Sequence, residues 1–105
     1  MILKDAIERL KNEPQDNVIK NGWGHAMSYR GYYEELAFSP ANNVTIGSML
    51  KEAEKALNNT YEGYKGGDFT MDEYTNVHIA KYGQTGHELS EMLLNYMLAD
   101  VINNE

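Results

Sequence analysis

The clearest helix signal in the chain lies at residues 44–59, VTIGSMLKEAEKALNN. Thr45 can cap the helix N-terminus, while Val44 and Met49 occupy the two positions of a hydrophobic staple. Asn58-Asn59 ends the pattern. Between these limits the apolar residues form one helical stripe: Ile46, Met49, Leu50, Ala53, Ala56 and Leu57. We therefore predict a central capped helix.

The residues before this helix predict a first helix followed by extended chain. Residues 2–12 carry an apolar helical pattern, and Pro14 ends it because it disfavours helical geometry at Glu13. Residues 17–20 have a β-branched centre and predict a strand, and residues 21–24 then supply turn residues around Trp23. Residues 25–38 are rich in aromatics without a helical period, so we predict extended structure that Ser39-Pro40 closes.

The residues after the central helix predict short strands and a terminal helix. A glycine-rich loop at 61–68 precedes a short strand at 69–71, and residues 76–80 alternate like a half-buried strand. Thr85-Gly86-His87-Glu88 matches a capping box, which predicts a last helix over 85–103. That helix has two apolar stripes, more than one packed side can cover, so we expect a homo-oligomer.

Together these elements predict an α+β fold. We expect a small antiparallel sheet with an N-terminal helix, a central capped helix and a C-terminal helix. The chain of 105 residues has the length of one domain, with a body at 1–84 and the last helix at 85–103 as a candidate oligomerisation element.

Composition narrows the function classes. The chain has no cysteine, which removes disulfides and thiolate chemistry and is typical of a cytoplasmic protein. Its net charge is −7, with Arg9 and Arg30 as the two arginines, so a duplex nucleic-acid partner is not expected. No apolar run is long enough to span a bilayer, and no membrane partner is expected.

No catalytic or metal-binding set is visible in the sequence. His25, His78 and His87 are isolated from one another, and each is more simply interpreted as a structural residue than as a ligand. Nothing resembles a nucleophile held by histidine and an acid, or a carboxylate-rich cation loop. We therefore predict a binding protein rather than an enzyme, with no catalytic residue, no metal and no cofactor.

Two segments stand apart because each surrounds a basic residue with aromatics and glycine. The first is SYRGYY at residues 28–33, and the second is YEGYKGGDFTM at residues 61–71. Aromatic faces stack on a base, glycines let backbone amides approach a phosphate, and arginine or lysine adds charged hydrogen bonds. Tyrosines of small sheets also serve as core and cross-strand packing, and the residues alone leave both interpretations open. The candidate ligand-binding residues are Ser28, Tyr29, Arg30, Tyr32, Tyr64, Lys65, Gly66, Gly67 and Phe69.

The same two segments resemble a family of small phage and prophage proteins. In that family a SYRGYY(D/E)xLA stretch precedes a helix and then a G(Y/W)KGG(D/E)(F/Y)TM stretch, and the likeness here covers residues 1 to 83. Lys81, where the family has an asparagine, and the segment after Thr85 depart from the pattern. The resemblance implies a phage anti-defence factor, most nearly the Thoeris anti-defence sponges that sequester cyclic ADP-ribose signals.

The sequence thus yields two functional hypotheses. The first is a non-catalytic sponge in the host bacterial cytoplasm that binds a nucleotide-type signal, cyclic ADP-ribose or a cyclic oligonucleotide. Arg30 and Lys65 would hold phosphates, and Tyr32, Tyr64 or Phe69 would stack on a base. The second is an acidic, anti-CRISPR-like protein that blocks the basic channel of a host defence nuclease, which the −7 charge favours.

Overall fold

Helices and a mixed sheet make up the part of the chain that the computed structural model describes, residues 1–28, 35–62, 68–82 and 85–102. The predicted α+β class is confirmed. The elements in chain order are α1 (Leu3–Lys11), β1 (Val18–Ser28), β2 (Leu36–Thr45), α2 (Ile46–Ala56), β3 (Thr60–Glu62), β4 (Asp68–Thr70), β5 (Val77–Tyr82), β6 (Thr85–Glu88), α3 (Glu91–Ala99) and β7 (Val101–Ile102).

The main sheet has five strands in the order β6-β5-β2-β1-β7, and β3 pairs with β4 in a separate hairpin. The expectation of a purely antiparallel sheet was wrong, because β2 and β5 are parallel, with Leu36 opposite Val77 and Phe38 opposite Ile79. The chain between them contains α2 and the β3–β4 hairpin. A crossover of this kind is what parallel neighbours require, whereas antiparallel strands can be joined by a tight turn.

The first two helices follow the prediction, with different means of satisfying their N-terminal amides. Thr45 caps α2 by accepting a hydrogen bond from the Ser48 amide at 3.1 Å. Asn58, just after that helix, has a φ of 64°, the left-handed conformation that asparagine tolerates. In α1, where no side chain caps the helix, the Leu3 amide donates to the Thr75 carbonyl at 2.8 Å.

The first two strands are longer than predicted, because their glycine and proline residues were interpreted as breaks. β1 continues through Gly22 and Trp23 to Ser28, and its register with β2 shifts between Trp23 and Ala26. Pro40 lies inside β2, opposite Trp23 and beside that irregularity. Proline and glycine within strands commonly mark bulges or close backbone approaches. Here Gly22 and Pro40 both lie next to the register shift between β1 and β2.

The last predicted helix was wrong over much of its length. Residues Thr85–Glu88 form β6 and pair antiparallel with β5, so they are not a capping box. The helix begins at Glu91, where Ser90 caps it by accepting from the Leu93 amide at 3.0 Å, and it ends at Ala99. Val101 and Ile102 then pair with β1 as β7. The residues of the two apolar stripes therefore lie in α3, in β7 and, for Leu89, just before α3. Leu89, Leu94, Met97 and Leu98 are buried, Leu93, Val101 and Ile102 are half-buried, and Met92 and Tyr96 are exposed.

The core lies between the sheet and its helices, with Trp23 and Phe38 at its centre. Their rings stack with centroids 4.7 Å apart and planes 11° apart. The Trp23 indole also donates to the Met49 carbonyl at 3.0 Å, which joins β1 to α2. No helix within the described ranges is long and apolar enough to cross a membrane.

Candidate functional site

Most of the predicted ligand-binding residues lie outside the part of the chain that the structure describes. Tyr29, Arg30 and Tyr32 fall in the gap at 29–34, and Tyr64, Lys65, Gly66 and Gly67 fall in the gap at 63–67. Ser28 is described: it is the last residue of β1, is buried, and pairs with Leu36. Phe69 lies in β4, where its backbone pairs with Tyr61.

The strand ends next to the first segment and the hairpin that belongs to the second lie towards one end of the sheet. α2 runs along β1 in the same direction, since Thr45 pairs with Val18 and the Met49 carbonyl bonds to the Trp23 indole. A helix of 11 residues carries the chain about 16 Å in that direction. It thus leads towards the Ser28 end of β1, and β3, which contacts β1, follows directly.

The return path from the hairpin leads to the same end. Met71 follows β4 and is held by two backbone hydrogen bonds, from the Asn58 amide at 2.7 Å and to the Asn59 carbonyl at 2.9 Å. Asn76 comes shortly afterwards in the chain, and its carbonyl accepts from the Leu36 amide at 2.9 Å. We call this end of the sheet, where β1 finishes at Ser28 and β2 begins at Leu36, the segment end.

Acidic residues outnumber basic ones among the described residues near the segment end, where the exposed Lys4 adjoins Glu73 by donating its amide to the Glu73 carbonyl at 2.9 Å. Glu35, Asp68, Asp72 and Glu73 flank the strands there, and the last three are exposed. Glu35 accepts a hydrogen bond from Asn76 at 3.4 Å, and Asp72 accepts one from the Tyr74 amide at 2.8 Å. An anionic ligand bound here would therefore depend on the basic residues that the sequence provides within the two segments.

A second candidate site is a cleft between the sheet and α3, with a volume of about 330 Å³. Strand residues Gly22, Pro40 and Ala80 contribute small surfaces to it, and helix residues Leu93, Tyr96 and Met97 contribute large ones. The cleft is predominantly apolar and opens to solvent. Its full described lining, which defines the α3 cleft, is Asn21, Gly22, Pro40, Ile79, Ala80, His87, Leu93, Tyr96, Met97 and Asp100.

The α3 cleft carries few polar groups. Asn21 and His87 are exposed strand residues, and Asp100 is half-buried just after α3. The Asp100 backbone is fixed on both sides, because its amide donates to the Met97 carbonyl at 3.3 Å and its carbonyl accepts from the Lys20 amide at 3.1 Å. None of the described lining residues is a lysine, arginine, serine or threonine. The cleft can therefore enclose an apolar group, but it presents no cation for a phosphate.

The three histidines do not converge. His25 lies on β1, where its Nδ1 is 3.0 Å from the Ser39 hydroxyl, and it is exposed. His78 is buried in β5, and His87 borders the α3 cleft from β6. Among the described residues, no three or more histidine, aspartate or glutamate side chains are grouped so that they could hold a metal ion.

Sequence reasoning missed the α3 cleft, although part of its signal was visible. Leu93, Tyr96 and Met97 belong to an apolar stripe that the sequence displays at helical spacing. The other wall comes from four strands, and the pairing of β2 with β5 and of β5 with β6 brings those residues together. Strand order is not encoded in local spacing, so the cleft could not be assembled from the sequence.

Comparison of the chain with protein-family models, with curated proteins and with solved structures finds no match.

Proposed function

We propose that this protein is a non-catalytic sponge that binds an anionic nucleotide signal at the segment end and withholds it from a host defence effector. In this proposal it acts in the cytoplasm of a phage-infected bacterium. The observation that carries the proposal is that the Ser28 end of β1, the Leu36 start of β2 and the β3–β4 hairpin, which adjoin or belong to the two unusual segments, lie towards one end of the sheet. The two segments are distant in sequence but begin and end near the same part of the fold. In this proposal their residues therefore contribute to one site.

The residue types of the two segments suit a ligand with phosphates and a base. Arg30 and Lys65 supply charged hydrogen bonds, and Gly66-Gly67 lets backbone amides approach phosphate oxygens. Tyr32, Tyr64 and Phe69 offer faces for the base, and Tyr29 offers a hydroxyl. Ser28, which the sequence also suggested, is buried at the end of β1. Cyclic ADP-ribose and cyclic oligonucleotides share this chemistry.

The acidic residues near the segment end make anion binding depend strongly on Arg30 and Lys65, which gives a direct test of the proposal. Asp68, Asp72 and Glu73 repel an anion, and Lys4, whose amide donates to the Glu73 carbonyl, offsets only part of that charge. Arg30 and Lys65 must then provide most of the attraction in this proposal. Removing either one should reduce ligand affinity more than it would on a surface with several cations.

A sponge needs a closed pocket, which we propose that a homo-oligomer provides. Competition with a receptor requires a dissociation constant of about 1 nM, and a small domain encloses a ligand most readily at a subunit interface. Tyr74 is 65% exposed and lies two residues before Asn76, near the segment end. An interface formed there would cover it. Light scattering should give a mass that is a multiple of 11.9 kDa, and a monomer mass would contradict the assembly.

The acidic-inhibitor hypothesis retains support from the net charge of −7. Complementary fields steer an acidic protein onto a basic nucleic-acid channel. In this alternative the protein depletes no nucleotide, and its partner is the defence nuclease itself.

Recovery of ligand separates these alternatives. The purified protein is incubated with cyclic ADP-ribose isomers and cyclic oligonucleotides, the free ligand is measured, and the protein is then heated to release what it holds. Depletion followed by release of intact ligand supports the sponge. Release of a changed product indicates an enzyme, and no depletion favours the acidic inhibitor.

A further inference from the structure

We propose that the α3 cleft is a separate binding site for an aromatic ring that carries a cationic amine. This site goes beyond the proposed nucleotide site, because its described lining contains none of the residues assigned to the two segments. The inference rests on the shape of the cleft, on the nature of its walls and on the sign of its charged group.

The shape fits one small ring system. A volume of about 330 Å³ lies at the lower limit of ligand pockets in proteins. The sheet side is lined by the small side chains of Pro40 and Ala80 and by Gly22, where an added Cβ would meet Val44 and Met49 outside the cleft. The helix side is formed by larger apolar groups, so a flat molecule can lie between the strands and α3.

Tyr96 gives the cleft an aromatic wall. It lines the cleft and yet is 71% exposed, so its ring stands at the mouth and is free to cover a ligand. A tyrosine face attracts both an aromatic ring and a cation placed over it. Met97, which is 6% exposed, forms the inner part of the same wall.

The charge of the cleft selects the ligand. Asp100 is half-buried at its border, and no cation within the described ranges pairs with its carboxylate. Asn21 also lines the cleft, and its side-chain oxygen can accept a second hydrogen bond from such a ligand. A ligand amine can therefore bind to Asp100 while its ring occupies the apolar space. A phosphate would meet Asp100 without any lysine or arginine in the described lining, which excludes a nucleotide phosphate as the preferred occupant.

Three indoles that differ in charge test this proposal on the full chain. Tryptamine is cationic, indole is neutral and indole-3-acetate is anionic, while the ring is the same. Backbone amide chemical shifts of Asn21, Ile79, His87 and Asp100 report on the cleft. We expect saturable shifts at these positions with tryptamine, at a dissociation constant on the order of 1 mM or tighter, and weaker binding in the order indole, then indole-3-acetate.

Matched variants assign the binding to the named groups. Asp100→Asn keeps the shape and removes the charge, so the advantage of tryptamine over indole should fall by about two- to five-fold. Tyr96→Ala should weaken all three ligands, and Ala80→Leu should fill the cleft. Met92→Ala is the control, because Met92 is on the same helix, is 82% exposed and does not line the cleft.

The outcomes decide the proposal even if Ala80→Leu does not fold. Absence of saturable shifts at the cleft with tryptamine up to about 10 mM would overturn it, since a ring buried in an apolar cleft should bind within that range. Equal binding of tryptamine and indole-3-acetate, or no change of the tryptamine preference in Asp100→Asn, would overturn the assigned charge selection.

Discussion

The segment end and the α3 cleft differ in how their residues are distributed along the chain. At the segment end the candidate residues come from two short runs of sequence: residues 28–33, which begin at the last residue of β1, and residues 61–71, which include most of the β3–β4 hairpin. The α3 cleft draws on four strands, one helix and Asp100. A site made of contiguous residues can be proposed from a sequence, whereas one made by strand pairing becomes visible only in the fold.

The two regions also differ in charge, and this difference assigns different ligands to them. The sequence places Arg30 and Lys65 in the two segments, and acidic residues flank them. The α3 cleft is apolar and has Asp100 at its border, without a described cation in its lining. We therefore expect an anion to compete poorly for the cleft and a cationic amine to compete poorly for the segment end.

The largest effect on the free energy of unfolding is expected at Trp23, which lies between the segment end and the α3 cleft. Trp23 lies on β1 between Gly22 of the cleft and Ser28 of the segment end, and it is 1% exposed. Trp23→Ala removes the stack on Phe38 and leaves a cavity, so the free energy of unfolding should fall by about 3–5 kcal/mol. Urea denaturation measures this.

Tyr96→Ala, measured without ligand, is the matched control for that variant. Tyr96 is also aromatic but is 71% exposed, so the same truncation should change the free energy of unfolding by about 0.5 kcal/mol or less. Equal losses in the two variants would show that the Trp23 and Phe38 stack is not the centre of the core.

A smaller loss of stability, confined to the α3 cleft side of the molecule, is expected for Gly86→Ala. A Cβ added at Gly86 would overlap the carbonyl of Ile79 in the neighbouring strand, so β6 must move in Gly86→Ala. We expect a loss of about 1–3 kcal/mol, with amide shifts at Ile79 and His87 and little change at Ser28. Gly24→Ala should cost less, because its Cβ would meet the Ser39 hydroxyl at 3.3 Å, a side chain that can turn away.

Local signals explain which elements the sequence predicted. α2 was predicted because its cap at Thr45, its apolar stripe and its end at Asn58 are all encoded within the helix itself. β4 and β5 were likewise close to their predicted limits. These features depend on neighbours within a few residues, so they survive whatever the tertiary arrangement is.

Tertiary contacts explain the errors. Thr85-Gly86-His87-Glu88 has the residue types of a capping box, but pairing with β5 extends it as a strand. Gly22 and Pro40 are residue types typical of turns, yet both lie within strands. Gly22 packs closely against Met49, and Pro40 lies opposite Trp23, beside the irregular register. The predicted ligand residues in the gaps of the described chain remain predictions.

Smaller losses of stability are expected when the caps of two helices are removed. α2 leads towards the segment end, and α3 forms one wall of the α3 cleft. Thr45 and Ser90 each accept from the amide three residues later. Thr45→Ala and Ser90→Ala should each cost about 1 kcal/mol. Hydrogen exchange should quicken in α2 for the first variant and in α3 for the second. Thr45→Asp and Ser90→Asp keep a capping oxygen and should restore protection, and failure of both to do so would contradict the capping role.

The central claim is that the two segments form an anion site, and calorimetric titration tests it most directly. Cyclic ADP-ribose isomers and cyclic oligonucleotides are titrated into the wild type, Arg30→Ala and Lys65→Ala, with Arg9→Ala and Lys55→Ala as controls. Arg9, on α1, is the other arginine and pairs with Glu13 just beyond that helix, and Lys55 is exposed on α2. We predict that a ligand binds the wild type and both controls alike. Arg30→Ala and Lys65→Ala should each lose about 1.5–3 kcal/mol of binding free energy, roughly ten- to hundred-fold in affinity, while the melting temperature stays unchanged. Wild type that binds none of these ligands, or segment variants that bind as wild type while melting much lower, would contradict the claim.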